Sequence, residues 1–250
     1  MSGLRHRNRL RAIFAVAIAM AFVGCVQPRV DTVQSYAGPQ LPRPNRILVH
    51  DFAVSPDQVK LDRGVSSRLL SALEGGSQTG QQNAAAQQVA AAISVALVER
   101  IQALGLPAER VDGSVMPAAG EKVLIIEGQI LSVDEGNRTR RTIIGLGAGA
   151  SEVDSDAQLY YQSAGRGPQL VQSFDAAAKS KPMPGMAETA GAGAAAGRAA
   201  ESAAIGGGLH IGAEANGATV ESDATRMADQ LVKTMGPFFV AQGWIVRQPQ

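Results

Sequence analysis

Apolar residues recur at helical spacing in two segments of the chain. In residues 81–104 the stripe is formed by Val89, Ile93, Ala96, Leu97, Ile101 and Leu104. In residues 218–241 it is formed by Ala224, Met227, Ala228, Leu231, Val232 and Met235. Spacings of three and four residues place each set on one helix face that needs a core to cover it, so the pattern predicts two amphipathic helices.

Local signals predict where these two helices end. Gly105 supplies a left-handed cap for the first helix, and Pro107 prevents its continuation. Pro237 predicts a bend or an early end of the second helix. The aromatic residues that follow it, Phe238, Phe239 and Trp244, are expected to close the core at that end.

Runs of branched and aromatic residues predict strands between and before the helices. They cover residues 46–54, 122–134, 137–144, 150–162 and 169–180. Gly128 is a candidate for a bulge in the second run, and residues 57–73 show helical spacing that Gly64 interrupts. The order predicts an α+β fold, a mainly antiparallel sheet covered by two amphipathic helices in two layers.

A glycine-rich turn centred on Gly147 would join the third and fourth predicted strands. This hairpin would place Arg140 opposite Asp154 and Arg138 opposite Asp156. Opposite charges across a ladder contribute roughly 0.2–1 kcal/mol each, and they fix the register because a slip of one residue separates them.

The amino-terminal segment has the layout of a signal peptide. Four arginines lie within the first 11 residues, and residues 12–23 carry no charge. Twelve residues rise about 18 Å as a helix, less than the hydrocarbon core of about 30 Å, which disfavours a permanent membrane span. An ordinary signal peptide and a lipoprotein signal peptide both fit this layout.

The sequence Phe22-Val23-Gly24-Cys25 resembles the lipobox of bacterial lipoproteins. In that class the cysteine thiol receives a diacylglycerol, the peptide is cut before the cysteine, and the new amino terminus is acylated, commonly with palmitate. The resemblance implies lipidation at Cys25 and an anchor in membrane lipid. Val26, where inner-membrane lipoproteins often carry Asp, implies the outer membrane, with the domain at its periplasmic face.

The lipoprotein interpretation explains the single cysteine and the net charge of the sequence. The 250 residues contain a single cysteine, which excludes an internal disulfide. Their net charge of +1 excludes a global basic field for nucleic acid. Without the four leader arginines, 19 basic residues face 22 acidic ones, so the mature chain carries a charge of −3.

The predicted organisation has three parts. Residues 1–24 form the signal peptide, residues 25–45 form a lipidated tether interrupted by four prolines, and residues 46–246 form the α+β domain. Residues 183–217 are a low-complexity Gly/Ala-rich insertion, predicted to be a loop. Two GxxxG spacings within it leave open a close contact with a second subunit or a membrane.

Few residues suggest catalysis. His50 adjoins Asp51 in a predicted strand, where consecutive side chains point to opposite faces, and His210 lies in the insertion. Glu152, Asp154 and Asp156 alternate along a strand and would share a face, as a metal-binding or salt-bridged row. We expect the salt-bridged row, with no catalytic, metal or cofactor site.

Two further motifs have simpler explanations than ligand binding. The glycines of residues 145–149 precede a predicted strand, whereas a dinucleotide fingerprint opens a helix. Arg138, Arg140 and Arg141 form the densest basic cluster, but no aromatic residues interleave with it and acidic residues lie nearby. We therefore expect no nucleic-acid partner.

Three stretches resemble the bacterial lipoproteins that carry the domain of unknown function 4410. They are ILVHDFAV at 47–54, IGLGAGASEV at 144–153 and AQGWIV at 241–246. A strand followed by a helix ending in LGLPAERV is more distantly similar to periplasmic domains of curli-type secretion lipoproteins. The resemblance implies a fold and a location, and no functional residue.

The sequence thus predicts a membrane-anchored periplasmic lipoprotein that serves as a structural or accessory binding module of the cell envelope. Its expected partner is another envelope protein or a second copy. The alternative is a periplasmic hydrolase or glycan-acting enzyme that uses His50 or the row of Glu152, Asp154 and Asp156.

Overall fold

In a computed structural model, the chain is described at residues 27–62, 77–112, 117–118, 120–137, 140, 148–163, 165–180 and 219–246. Seven strands are described: β1 (Arg29–Ser35), β2 (Arg46–His50), β3 (Val59–Lys60), β4 (Ala108–Val111), β5 (Val123–Asp134), β6 (Glu152–Gln162) and β7 (Gln169–Lys179). The two α-helices are α1 (Gln78–Ala103) and α2 (Val220–Ala241). A single 3-10 turn (Pro56–Gln58) precedes β3.

The described strands form one mixed sheet in the order β1-β7-β6-β5-β2-β4, with β3 beside the end of β5. The pairs β1/β7, β7/β6 and β6/β5 are antiparallel. The pairs β5/β2, β2/β4 and β5/β3 are parallel. Helix α1 lies in the connection between the parallel strands β2 and β4, because parallel strands need a long crossover and cannot be joined by a tight hairpin. The predicted α+β class, with a largely antiparallel sheet and two helices, is therefore confirmed.

Both helices lie side by side on one face of the sheet. Helix α1 contacts β2, β3 and β4, helix α2 contacts β1, β6 and β7, and the helices contact each other. The predicted stripes are buried: Ile93, Leu97 and Ile101 of α1 and Met227 and Leu231 of α2 are fully inaccessible. The helix prediction is confirmed because the apolar spacing directly reflects this shared core.

The ends of the helices follow the sequence signals, with one exception. Gly105 has a φ of +79° after α1, the left-handed conformation expected of its cap. Phe238, Phe239 and Trp244 are buried at the end of α2, as predicted. Pro237, however, lies inside α2, which continues to Ala241. It therefore does not end the helix early.

The predicted tether over 25–45 must be corrected within its described part. Residues 29–35 form the edge strand β1 on β7, and residues 36–45 pack across one end of the domain. There the Trp244 Nε1 donates to the Leu41 carbonyl at 3.0 Å, and the Tyr161 hydroxyl donates to the Pro42 carbonyl at 2.9 Å. The prolines are compatible with this path because Pro28 precedes β1 and the other three follow it, in segments that need no ladder hydrogen bonds.

The predicted hairpin between 137–144 and 150–162 is wrong in its pairing. Strand β6 lies between β5 and β7, so no edge of it is free for residues 137–144. Asp154 pairs with Ser132 and Ala177, and Asp156 pairs with Gln129 and Asp175. Gly136 and Gly149, both with positive φ, turn the chain instead, and the Asn137 N–H donates to the Gly149 carbonyl at 3.0 Å.

In the described part of 57–73, the interrupted helical spacing corresponds to no α-helix: residues 56–58 form the 3-10 turn and residues 59–60 form β3. The bulge in β5 lies between Ile130 and Ser132 rather than at Gly128. The predicted signal peptide, the predicted 183–217 insertion and the residues Cys25, Arg138, Arg141 and His210 lie outside the described residues.

Candidate functional surface

The face of the sheet opposite the helices is the candidate functional surface, and we call it the outer face. On β6 the inward residues are buried, whereas the alternating residues Asp154, Asp156 and Gln158 point outward and are half-buried or exposed. Neighbouring strands add Gln129, Asp175 and Asp31 to the same face. In its described part, the central outer face is polar and is not covered by either helix.

Three aspartates lie side by side across the outer face. Asp31 on β1 pairs with Asp175 on β7, which in turn pairs with Asp156 on β6. We call these three residues the Asp row. Neighbouring strands are about 4.8 Å apart, and like charges directly opposite each other destabilise a sheet. The arrangement therefore has an electrostatic cost that a cationic partner would relieve.

The electrostatics of the Asp row reflect this crowding. Burial raises the pKa of the Asp156 carboxyl above its usual value, and the negative charge of Asp175 raises this pKa further. Arg29 offsets the charge of Asp31 only, through an ion pair of 2.5 Å between exposed side chains. The predicted pairing of Asp156 with Arg138 is thus replaced by a contact with a second acid.

An open depression of about 520 Å³ lies over the Asp row. Besides the three aspartates, its walls include Arg29, Asp154 and Leu131. Leu131 is the residue left unpaired by the bulge in β5, and it is 43% exposed. The depression therefore combines a concentrated negative charge with one accessible aliphatic side chain.

The other two members of the predicted carboxylate row have local partners. Glu152 forms an ion pair of 2.8 Å with Lys179, which raises the pKa of Lys179. Asp154 accepts a hydrogen bond of 2.7 Å from the Ser132 hydroxyl. Among the described residues, no three His, Cys, Asp or Glu side chains form a group able to hold a metal ion.

His50 lies at the end of β2, and β5 separates that strand from the row on β6. Asp51 instead pairs with Arg110 through two hydrogen bonds of 2.5 and 2.8 Å, which lower the pKa of Asp51. The hydroxyl of the buried Ser94 lies 3.0 Å from the Ala90 carbonyl and 3.3 Å from the His50 backbone carbonyl, and either carbonyl can accept its one proton. The imidazole thus has no role in orienting this serine.

A buried polar cluster that the sequence analysis did not identify joins α2 to the sheet. Asp223 is fully buried; it accepts a hydrogen bond of 2.6 Å from the Ser151 hydroxyl and another from Arg226. Arg226 also donates to the Lys179 carbonyl at 2.7 Å, and the Ser180 hydroxyl accepts from the Ser151 N–H at 3.0 Å.

This cluster connects the start of β6, the end of β7 and the first turn of α2. A signal for it does exist in the sequence, since Asp223 lies one turn before Met227 on the apolar stripe. A charged residue at such a position indicates a buried partner. The hydrogen bonds of the cluster link these three elements to one another, which indicates a structural role.

Helix α1 is the one described segment long and apolar enough to span a membrane by length and composition. Half of its apolar window is buried within the fold, as in the core helix of a folded domain.

Comparison with known proteins places the chain in a family. No curated protein matches the chain. Among the solved structures that match, one described as the crystal structure of an uncharacterized protein is 14% identical, with a TM-score of 0.30; the match covers 81% of this chain and 98% of that chain. The family model of the domain of unknown function DUF4410 matches residues 47–197, which run from β2 into the Gly/Ala-rich segment. The chain therefore belongs to the DUF4410 family.

Proposed function

We propose that the chain is a lipid-anchored lipoprotein of the bacterial outer membrane that acts as a periplasmic binding module, with the outer face as its interaction surface. The observation that carries the proposal is the Asp row, a line of like charges on an uncovered sheet face. A stabilising role within the domain does not explain three carboxylates placed directly opposite one another.

The anchor follows from the amino-terminal sequence. The basic segment, the uncharged run and the sole cysteine directly after Gly24 are the features that lipidation requires. Two or more acyl chains make membrane attachment stable, since each buried methylene contributes about 0.8 kcal/mol. The mature protein would then stay at the membrane without spanning it.

The partner that fits the outer face is a basic segment of another envelope protein. Its lysine or arginine side chains would neutralise the Asp row, and an apolar residue beside them would cover Leu131. Charge complementarity of this kind speeds association and selects partners, and its effect weakens as salt screens the charges.

Photo-crosslinking in intact cells tests the binding surface. A crosslinking amino acid replaces Gln158, which is exposed on the outer face, and a control variant carries it at Gln87, exposed on α1. We expect one protein to be captured from position 158 and not from position 87, and Asp175→Lys to abolish that capture. Equal capture from both positions, or capture that survives the charge reversal, would contradict the proposal.

Metabolic labelling tests the anchor separately. Cells supplied with radiolabelled palmitate should label the native protein, whereas Cys25→Ala should remain unlabelled and leave the membrane fraction. Equal labelling of the two proteins would show that Cys25 is not the acylated residue.

A further inference from the structure

We infer that one end of the sheet is held against the lipid surface, so that the domain stands on the bilayer instead of swinging on a long tether. This inference rests on the proposed lipidation of Cys25. We call the membrane-facing side the anchor end: it is the end where β1 and β6 begin and where β5 and β7 finish.

The connection between the anchor and the fold is very short. Only Val26, Gln27 and Pro28 separate Cys25 from Arg29, the first residue of β1. Four residue steps span at most about 14 Å when fully extended. Since the acyl chains on Cys25 lie in the bilayer, Arg29 cannot be farther than this from the level of the lipidated residue.

Arg29 is fixed to the rest of the domain by its ladder. Strand β1 pairs with β7 from Arg29 opposite Ala177 to Ser35 opposite Gln172. The half-buried Val30 also packs against the main core. Because β1 and β7 are antiparallel, the chain before Arg29 runs toward Lys179 and leaves the domain at the anchor end.

In a domain that stands on the anchor end, the opposite end of the sheet projects away from the membrane. Strand β6 has 11 residues, which corresponds to a length of roughly 35 Å. The exposed turn containing Arg166 follows β6 at its far end, where the buried Trp244 stacks on Tyr161. An upright domain therefore places Arg166 roughly 30 Å farther from the bilayer than residues of the anchor end.

Exposed cations at the anchor end suit a surface of lipid phosphates. Arg29, Lys60, Arg140 and Lys179 are all exposed there, and the Arg29 side chain is 80% accessible. Long basic side chains can reach headgroup oxygens while their stems stay on the protein. Carboxylates near three of them, Asp31, Asp134 and Glu152, prevent a strongly basic patch, so the acyl anchor rather than this charge supplies the attachment.

Fluorescence quenching in vesicles tests this orientation. The purified lipidated protein is reconstituted into phosphatidylethanolamine and phosphatidylglycerol vesicles that contain a lipid with a nitroxide on its headgroup. Because Cys25 is acylated, a single introduced cysteine carries the fluorophore, in Lys60→Cys or Arg140→Cys at the anchor end and in Arg166→Cys at the far end. We expect at least threefold stronger quenching of both anchor-end labels than of the far-end label.

A matched variant shows whether the short connection causes the orientation. A flexible Gly/Ser spacer of about 15 residues, inserted between Gln27 and Pro28, leaves the lipobox and β1 unchanged. We expect it to reduce the difference in quenching between the two ends to less than 1.5-fold. If the difference persists with the spacer, or if the native connection gives equal quenching at both ends, the inference is overturned.

Flotation of the same vesicles separates this inference from the proposed function. Protein that floats with the vesicles but shows equal quenching at both ends would overturn the orientation alone. Protein that fails to float would overturn the lipid anchor and, with it, the orientation.

Discussion

Gly128 has a structural role that the strand pattern does not reveal. A Cβ atom at this position would lie 2.2 Å from the ring of Phe52, which is 2% exposed. The absence of a side chain on β5 therefore makes room for a buried aromatic ring that follows β2. The ladder continues past the contact, since Ala53 bridges to Gln129.

We predict that Gly128→Ala lowers the free energy of unfolding by about 1–3 kcal/mol, the usual cost of overpacking a filled core. The control is Gly167→Ala, where a Cβ meets nothing within 4 Å and φ is not positive. Urea denaturation of the purified protein gives both values. Equal stability of the two variants would show that Phe52 moves aside without cost.

The raised pKa of Asp156 predicts that the contribution of this residue to stability depends on pH. A carboxyl whose pKa is higher in the folded protein favours folding below its unfolded pKa of about 3.8, and this contribution is lost as the pH rises through the folded pKa. Asp156→Asn removes the charge, so we expect it to be more stable than the native protein at pH 7. The gain should be a few tenths of a kcal/mol.

Denaturation midpoints measured between pH 3 and pH 7 check this prediction. The advantage of Asp156→Asn should vanish below the unfolded pKa, where both proteins carry a neutral side chain at this position. Asp154→Asn is the control, because its carboxyl accepts a hydrogen bond from Ser132. A pH-independent gain for Asp156→Asn would contradict the electrostatic origin.

At the scale of elements, α2 depends on the buried cluster at its first turn. Asp223 joins this turn to Ser151 before β6, and Arg226 reaches the carbonyl of Lys179 at the end of β7. Removing one partner of a buried ion pair leaves the other charge uncompensated, which usually costs about 3–5 kcal/mol. We therefore predict that Asp223→Ala lowers the free energy of unfolding by about 3 kcal/mol.

Double-mutant cycles on thermal or urea unfolding measure this coupling. Ser151→Ala should cost about 1 kcal/mol in the native background, and less when Asp223 is already Ala. Asp229→Asn on α2, which breaks a more exposed ion pair with Arg100 of α1, should have a much smaller effect. Additive losses for Ser151→Ala and Asp223→Ala would show that the two residues act independently.

The elements that the sequence predicted correctly are those whose pattern is local. The stripes of α1 and α2 and the apolar runs of β2 and β5 reflect burial directly, so periodicity alone identifies them. Strand β1 was missed because it is an edge strand with exposed residues on both faces. The predicted partner of β6 was wrong because it rested on charge complementarity with Arg140, which is also a local signal. The actual partners, β5 and β7, are determined by the packing of the whole core.

The same limit applies to the candidate surface. Glu152, Asp154 and Asp156 were correctly placed on one face, because alternation along a strand determines this. The Asp row was not predicted, since it depends on Asp31 and Asp175, which come from strands 144 residues apart in the chain. Only the order of strands in the sheet brings such residues together.

At the scale of the whole molecule, stability is expected to decrease toward β1. Strand β6 is paired on both edges and contributes buried residues throughout, whereas β1 pairs on one edge and is mostly exposed. The segment after β1 is held more firmly, because Leu41 and Pro42 accept hydrogen bonds from Trp244 and Tyr161. Local opening should therefore release residues 27–35 and stop near Tyr36.

Hydrogen exchange monitored by mass spectrometry tests this gradient. We predict that amides of 29–35 exchange at least about 100-fold faster than those of β6, because edge strands open without global unfolding. Trp244→Phe removes the hydrogen bond to Leu41, so it should extend fast exchange to residues 36–45 while β6 stays protected. Opening of β1 would lengthen the connection to Cys25 by seven residues, roughly 23 Å of extended chain. If β1 is instead as protected as β6, the connection to Cys25 keeps its short length, and the proposed orientation cannot relax through local opening of this strand.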